Sequence, residues 1–209
     1  MTKNDPLALY KQYYVERDFD RLDLFEQLAM QHDIKRVLYP GSYVHITPSF
    51  VYPTAVYVDN DKKAKKFFAD TTFLDFIAEH KQYAEDATVT FYGQSYTEDF
   101  GEEHESFDLL ISQYAGFISL HCKAYLKIGG ILLVNNSHGD ASMASLDDQF
   151  ELDAIVLRRN GKHRLQRNNL EDYLTPKTDQ LITRQYLEEI QRGIGYKKSA
   201  SMYIFKRVA

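Results

Sequence analysis

Apolar positions along this 209-residue chain recur first at helical spacing and then in short, strand-like runs. Leu7, Leu9, Tyr10, Tyr13 and Tyr14 share one stripe, and Leu22, Leu24, Phe25, Leu28 and Ala29 share another. Two helices are therefore predicted near the N-terminus, the second capped by Asp18 or Asp20. Ile34 to Tyr39 is a β-rich run halted by Pro40-Gly41-Ser42, a strand ending in a turn. Pro48 and Pro53 leave space only for a brief or irregular helix before the next strand, Ala55 to Val58. Asp59-Asn60-Asp61 then opens a charged helix running through Lys62, Lys63, Lys65 and Lys66 to Phe67 and Phe68. Phe73 to Tyr83 reads as a helix, Thr88 to Tyr92 as a third strand closed by Gly93, and Thr97 to Ser106 as a polar loop. Phe107 to Ile111 is the fourth strand, and Phe117 to Leu126 a helix stopped by Lys127-Ile128-Gly129-Gly130. Ile131 to Asn135 is the fifth strand.

Nearly continuous apolar strands separated by helices indicate a parallel sheet covered on both faces. The last third changes character. Phe150 to Arg159 and Lys162 to Asn168 flank Asn160-Gly161, a type I′ hairpin signal. After Pro176, Gln180 to Gln191 reads as a helix ended by Gly193, and Ser201 to Phe205 as a closing strand. The expected fold class is α/β: a doubly wound, mostly parallel sheet with helices on both faces and an antiparallel C-terminal hairpin and strand. No linker rich in Pro, Gly or Ser divides the chain, so one domain is expected over 1–209. Its parts are N-terminal helices over 1–33, a parallel core over 34–149, and the hairpin, helix and closing strand over 150–209.

Composition narrows the classes of function. A hydrophobic content of 44% suffices for a sizeable core. The balance of 30 acidic against 25 basic residues, net charge -5, disfavours a protein whose main task is gripping nucleic acid. Arg158, Arg159, Lys162, Arg164 and Arg167 make the hairpin basic, and any phosphate-backbone contact would reside there. No run is apolar enough to cross a bilayer, and Met1 to Pro6 lacks the apolar stretch of a signal peptide. A cytoplasmic protein without a membrane partner is expected. Cys122, the only cysteine, reads as a small buried apolar side chain. His45, His138 and Asp140 lack the spacing of a three-ligand metal site, so no metal is expected. Most of the 16 Tyr and 13 Phe are expected to pack.

In an open α/β sheet, ligands bind beyond the carboxyl ends of the strands. Those ends carry Gly41, Ser42 and Tyr43, then Asp59 and Asn60, then Gln94 and Ser95, then Ser112 and Gln113, and finally Asn135 to His138. Gly41 permits a tight turn and close backbone approach. Asp59 stands where an acid accepts hydrogen bonds from ribose hydroxyls, although an Asp before a helix also serves as a cap. Gln94, Ser95, Ser112 and Gln113 suit an adenine edge or a substrate, and equally suit ordinary turns. Tyr114, His138 and Asp140 are available to assist proton transfer. The nucleophile-elbow and P-loop patterns do not occur.

From Leu22 to Val208 the order of elements resembles class I S-adenosylmethionine-dependent methyltransferases. The strand and turn Val37-Leu38-Tyr39-Pro40-Gly41-Ser42, the acid Asp59, the run Phe107 to Ile111 and the segment Tyr125 to Leu133 all look like that family. The segment Leu126-Lys127-Ile128-Gly129-Gly130 is the most specific, being similar to the family's Leu-Lys-Pro-Gly-Gly with Ile128 in the proline position. The resemblance implies S-adenosylmethionine as cofactor, a small-molecule acceptor, and cofactor contacts from Gly41, Ser42, Tyr43, Asp59, Asn60, Gln94, Ser95, Ser112 and Gln113. In the cofactor loop only Gly41 matches the family's glycines, with bulky Tyr43 and His45 beyond it. That departure defines the alternative: a non-catalytic binding or interaction module on the same fold.

Overall fold

A computed structural model describes residues 5–179 and 181–209 of the chain. Met1 to Asn4, used above in judging the N-terminus, and Gln180, the first residue of the predicted last helix, lie outside the described residues. The chain divides into two compact units, the first ending at Phe100 and the second beginning at Gly101.

In the first unit, α1 (Ala8–Tyr10) continues as a π-helical turn over Lys11–Val15 and is followed by α2 (Leu22–Gln31). Leu24, Phe25 and Leu28 form the buried stripe of α2, as their spacing requires. Asp20 accepts from the Leu22 amide at 3.2 Å, while Asp18 stands in a left-handed turn with φ 53°. Strands β1 (Arg36–Pro40), β2 (Thr54–Val58) and β3 (Thr88–Tyr92) form a parallel sheet with β2 in the middle. Val37 pairs with Ala55, and Ala55 with Val89. The proline constraint is visible in α3 (Pro48–Val51), a single turn with Pro48 in its first position. Helices α4 (Lys62–Phe68) and α5 (Thr72–His80) connect β2 to β3.

The aromatic content includes buried tyrosines whose hydroxyls find partners. Tyr52 donates to the Phe25 carbonyl at 2.9 Å, Tyr57 lies 2.6 Å from the Ser49 hydroxyl, and Tyr10 lies 2.9 Å from the Thr47 hydroxyl. A tyrosine so placed adds the apolar area of a ring to the core without orphaning its polar tip.

In the second unit, β4 (Phe107–Ser112) and β5 (Leu126–Val134) are parallel. Antiparallel β8 (Met202–Arg207) joins β5, β6 (Phe150–Arg159) joins β8, and β7 (Lys162–Gln166) joins β6. The predicted hairpin is present: Asn160 and Gly161 have φ of 51° and 77°, the two left-handed residues of a type I′ turn. The fifth strand differs from expectation. Lys127 to Gly130 do not stop a helix but belong to β5, which begins at Leu126. The helix before it is only α6 (Ile118–Cys122) plus a 3-10 turn over Lys123–Tyr125. The pairing jumps from Phe107 with Leu126 to Leu109 with Ile131, so the glycine segment bulges out of the ladder. Helix α7 (Asp140–Ser145) was not legible, because Asp-Ala-Ser-Met-Ala-Ser carries no clear apolar period. The last helix, α8 (Arg184–Ile190), ends at Gln191 in a left-handed conformation, two residues before Gly193.

Candidate functional site

The first unit assembles its candidate site from the turns after β1, β2 and β3. Gly41 (φ 65°) leaves β1 with its amide on the Val58 carbonyl at 2.7 Å. Ser42 is buried, and Tyr43 takes the left-handed region at φ 51°, which costs a non-glycine residue about 1–2 kcal/mol. Asp59 holds it there. One carboxylate oxygen accepts from the Tyr43 amide at 2.7 Å and the other from the Asp61 amide at 2.8 Å. The cap of α4 is Asp61 rather than Asp59, accepting from the amides of Lys63 and Ala64. Asp59 thus ties the β1 turn to the β2 turn. Asn60 is exposed beside it. After β3, Gln94 donates to the Asp99 carbonyl at 3.0 Å and the Ser95 hydroxyl lies 2.8 Å from that of Thr97, so both residues close their own loop.

Beyond Tyr43 the chain turns inward, and Val44, His45 and Ile46 are fully buried. The His45 ring stacks on Tyr14, with centroids 4.2 Å apart at 10°. Nε2 lies 2.9 Å from the Asp20 carbonyl and so must donate, which leaves Nδ1 to accept from the Tyr39 hydroxyl at 3.1 Å. Burial, with the nearby Arg21 charge adding to it, holds this imidazole well below its ordinary value of 6.5. The sign follows: at pH below 6.5 the unfolded chain takes up a proton that folded His45 refuses, so this residue's contribution to stability falls as pH falls. Nitrogen NMR should find the His45 ring neutral at pH 5.5, where a free imidazole is mostly charged. A charged ring there would overturn the assigned hydrogen bonds.

The second unit encloses a different cluster. Asp140, at the start of α7, is fully buried. It accepts from the Ser112 hydroxyl, from the Ser119 hydroxyl at 2.5 Å and from the Ser119 amide at 3.1 Å. Burial pushes its carboxyl up to about 6 against these donors, which pull the other way. Cys122 is buried nearby, and burial raises its thiol far above the ordinary value, with Asp140 adding to the effect. It is a packed side chain, not a nucleophile. Gln113 is buried with its amide nitrogen 3.2 Å from the Met202 sulfur and its carbonyl oxygen unpartnered. Tyr114 and His138 are exposed.

No protein-family model and no curated protein sequence matches this chain. Solved structures do. A candidate O-methyltransferase from Klebsiella pneumoniae aligns with a TM-score of 0.52 at 12% identity, covering 79% of this chain and 89% of its own. The chain has the Rossmann-like fold of class I methyltransferases. The Streptomyces achromogenes O-methyltransferase TomG, solved in complex with SAM, aligns with a TM-score of 0.49 at 13% identity, over 78% of this chain and 88% of its own. A methyltransferase from Geobacter sulfurreducens gives 0.49 at 14% identity over the same shares.

For a methyltransferase-like fold, the strand-end positions singled out from the sequence lie at the carboxyl ends of β1 to β5, as the alternation implied. What sequence reasoning missed is the enclosure of Asp140 by Ser112 and Ser119 and the segment 191–200, which packs against the turn after β5. An acid 28 and 21 positions from its two serines gave no local signal. Among the described residues no helix is long and apolar enough to cross a membrane.

Proposed function

We propose that this chain is an S-adenosylmethionine-dependent methyltransferase acting on a small-molecule acceptor. The observation that carries the reading is the fold shared with the Klebsiella protein over most of both chains. Asp59 fits the cofactor's ribose. An ionised carboxylate offers about four acceptor positions, and the backbone takes one on each oxygen. Two positions remain for the ribose hydroxyls, in a loop already braced by the same side chain. Gly41, Ser42 and Tyr43 would line the turn beneath it, with Asn60, Gln94 and Ser95 beside the adenine. The cofactor, when bound, supplies an electrophilic methyl group. The chain's contribution is then to hold cofactor and acceptor aligned and to exclude water. Asp140 is a structural acid on this reading, whereas Tyr114 and His138 are exposed to solvent.

Calorimetric titration with S-adenosylmethionine and S-adenosylhomocysteine tests the proposal. Binding is expected, and Asp59→Ala should weaken it about 10- to 100-fold, the roughly 1–3 kcal/mol of an unpaired buried polar contact. Asp59→Asn, which keeps one acceptor oxygen, should fall between. Unchanged affinity in Asp59→Ala would reduce Asp59 to a loop brace. The absence of both heat and thermal stabilisation with either ligand at millimolar concentration sinks the cofactor reading. A second reading is favoured by one feature, the inward packing of Val44, His45 and Ile46 with Tyr43 against Tyr13 at 5.4 Å. A chain that binds neither ligand is the interaction module foreseen from the degenerate loop.

A further inference from the structure

A cavity of about 360 Å³ opens at the carboxyl end of β5, wholly within the second unit. Asn136, Ser137, Arg192 and Lys198 line it, with the buried Tyr196 and Tyr203 as its aromatic floor. Its size is that of a small-molecule site. The two cations are not equivalent. Lys198 is paired with Asp172 at 3.0 Å, whereas Arg192 has no ion-pair or hydrogen-bond partner among the described residues.

The position of Arg192 is built, not incidental. Gln191 ends α8 at φ 50° and turns the chain back toward the β5 turn. There a Cβ on Gly139 would lie 2.8 Å from the Arg192 carbonyl oxygen, and one on Gly193 would lie 1.9 Å from the Asn136 carbonyl oxygen. Two glycines therefore let the backbone at Arg192 and Gly193 seat directly on the turn after β5. Asn136 closes the contact by donating to the Ile194 carbonyl at 3.2 Å while accepting from Ser142. Below, the Tyr196 hydroxyl donates to Ser142 at 2.6 Å, so the aromatic floor is tied to α7. An unpaired guanidinium beside a cavity lined by two tyrosines suits a small organic anion, its charge on Arg192 and its apolar part on the rings.

We propose that this cavity binds a small molecule through a carboxylate or phosphate group, with Arg192 as its principal partner and Lys198 as a secondary one. That this ligand is the methyl acceptor rests on the proposed function; that the cavity takes an oxyanion does not. Titrations observed by NMR, with inorganic phosphate in one arm and benzoate in the other, separate the two sources of the charge. Saturable shifts at Arg192, Ser137 and Tyr203 are expected in the millimolar range with at least one probe, weakening as sodium chloride is raised. Arg192→Ala should lose about tenfold in affinity, Arg192→Lys should recover part of it, and Lys198→Ala should lose less because Asp172 already holds that charge. Arg192 is exposed, so its variants should melt with the parent and any loss is read as lost binding. No shifts with either anion, or equal affinity in Arg192→Ala, overturns the proposal. Cofactor binding measured on the same wild-type sample keeps the two readings apart. Anion binding without cofactor binding upholds the cavity and removes the methyltransferase; cofactor binding without anion binding does the reverse.

Discussion

Asp140→Ala should cost about 3–5 kcal/mol of stability, because it orphans two hydroxyls and an amide in a dry interior at roughly 1–3 kcal/mol each, less what the hydroxyls regain by turning elsewhere. For a chain of this size that is a fall in melting temperature on the order of 10 °C. Asp140→Asn makes the informative contrast. Its amide oxygen still accepts from Ser119, its amino group can donate to the Ser112 hydroxyl, and it carries no charge to desolvate. It should remain within about 1 kcal/mol of the parent. If Asn proves as damaging as Ala, the charge itself is needed and the structural reading of Asp140 fails. The pH dependence is a second signature. The Asp140 carboxyl is raised from 3.8 to about 6 in the folded chain, by burial above all. Between those values the folded form binds more protons than the unfolded one, so this residue's contribution weakens as pH rises through the window and is constant above it. His45 works in the opposite sense, favouring the folded state less as pH falls. Urea midpoints across pH 4–7 in Asp140→Asn should therefore show a steeper loss toward acid than the parent, since the opposing acid has been removed.

Gly193→Ala should be nearly as damaging, with the harm confined to one end of the second unit. The added Cβ would stand 1.9 Å from a backbone oxygen and 2.9 Å from the Asn136 side chain, so the segment from Gln191 to Gly195 must lift off the β5 turn. Lifting it breaks the Asn136 to Ile194 hydrogen bond and frees Asn136 from holding Ser142. A forced backbone shift with a lost, partly buried hydrogen bond costs about 2–4 kcal/mol. Faster amide exchange at Ile194 and Tyr196, together with loss of the anion response, is the expected readout. Gly195→Ala is the control. Its nearest neighbour is the flexible Lys177 side chain at 3.8 Å, so the substitution should change neither stability nor binding. Equal behaviour of the two alanines would mean that the close approach at Gly193 does not position Arg192.

The candidate site was legible to the extent that it is local in the chain. Gly41, Asp59 and Gln94 could be named because a strand announces itself by its β-rich run and ends where Pro, Gly or Asp interrupts it. The roles of those residues were less legible. Asp59 and Asp61 are two positions apart, and nothing in the sequence distinguishes the acid that caps α4 from the one that reaches back to the Tyr43 amide. His45 stood out as a bulky departure from the family's glycines, and the structure packs its ring against Tyr14, Tyr39 and the Asp20 carbonyl in a core that neutralises it.

Periodicity and turn chemistry thus determined the α/β class, the parallel strands, the brevity of any helix between Pro48 and Pro53 and the Asn160-Gly161 hairpin, because each depends on steric and hydrophobic preferences acting within a few residues. The bulge at Lys127 to Gly130 was decided elsewhere. Those residues could end a helix or enter a strand, and pairing with Phe107 and Leu109 selected the strand. Tertiary structure alone also decided the burial of Asp140 and the site of Arg192. Burial raises that carboxyl to about 6, and the serines that pull it the other way stand 28 and 21 positions away. Arg192 lines a cavity only because two glycines, 54 positions apart, let separate stretches of backbone come into contact. Contacts of that range leave no period in a sequence, because the chain between them can take any length that closes the loop.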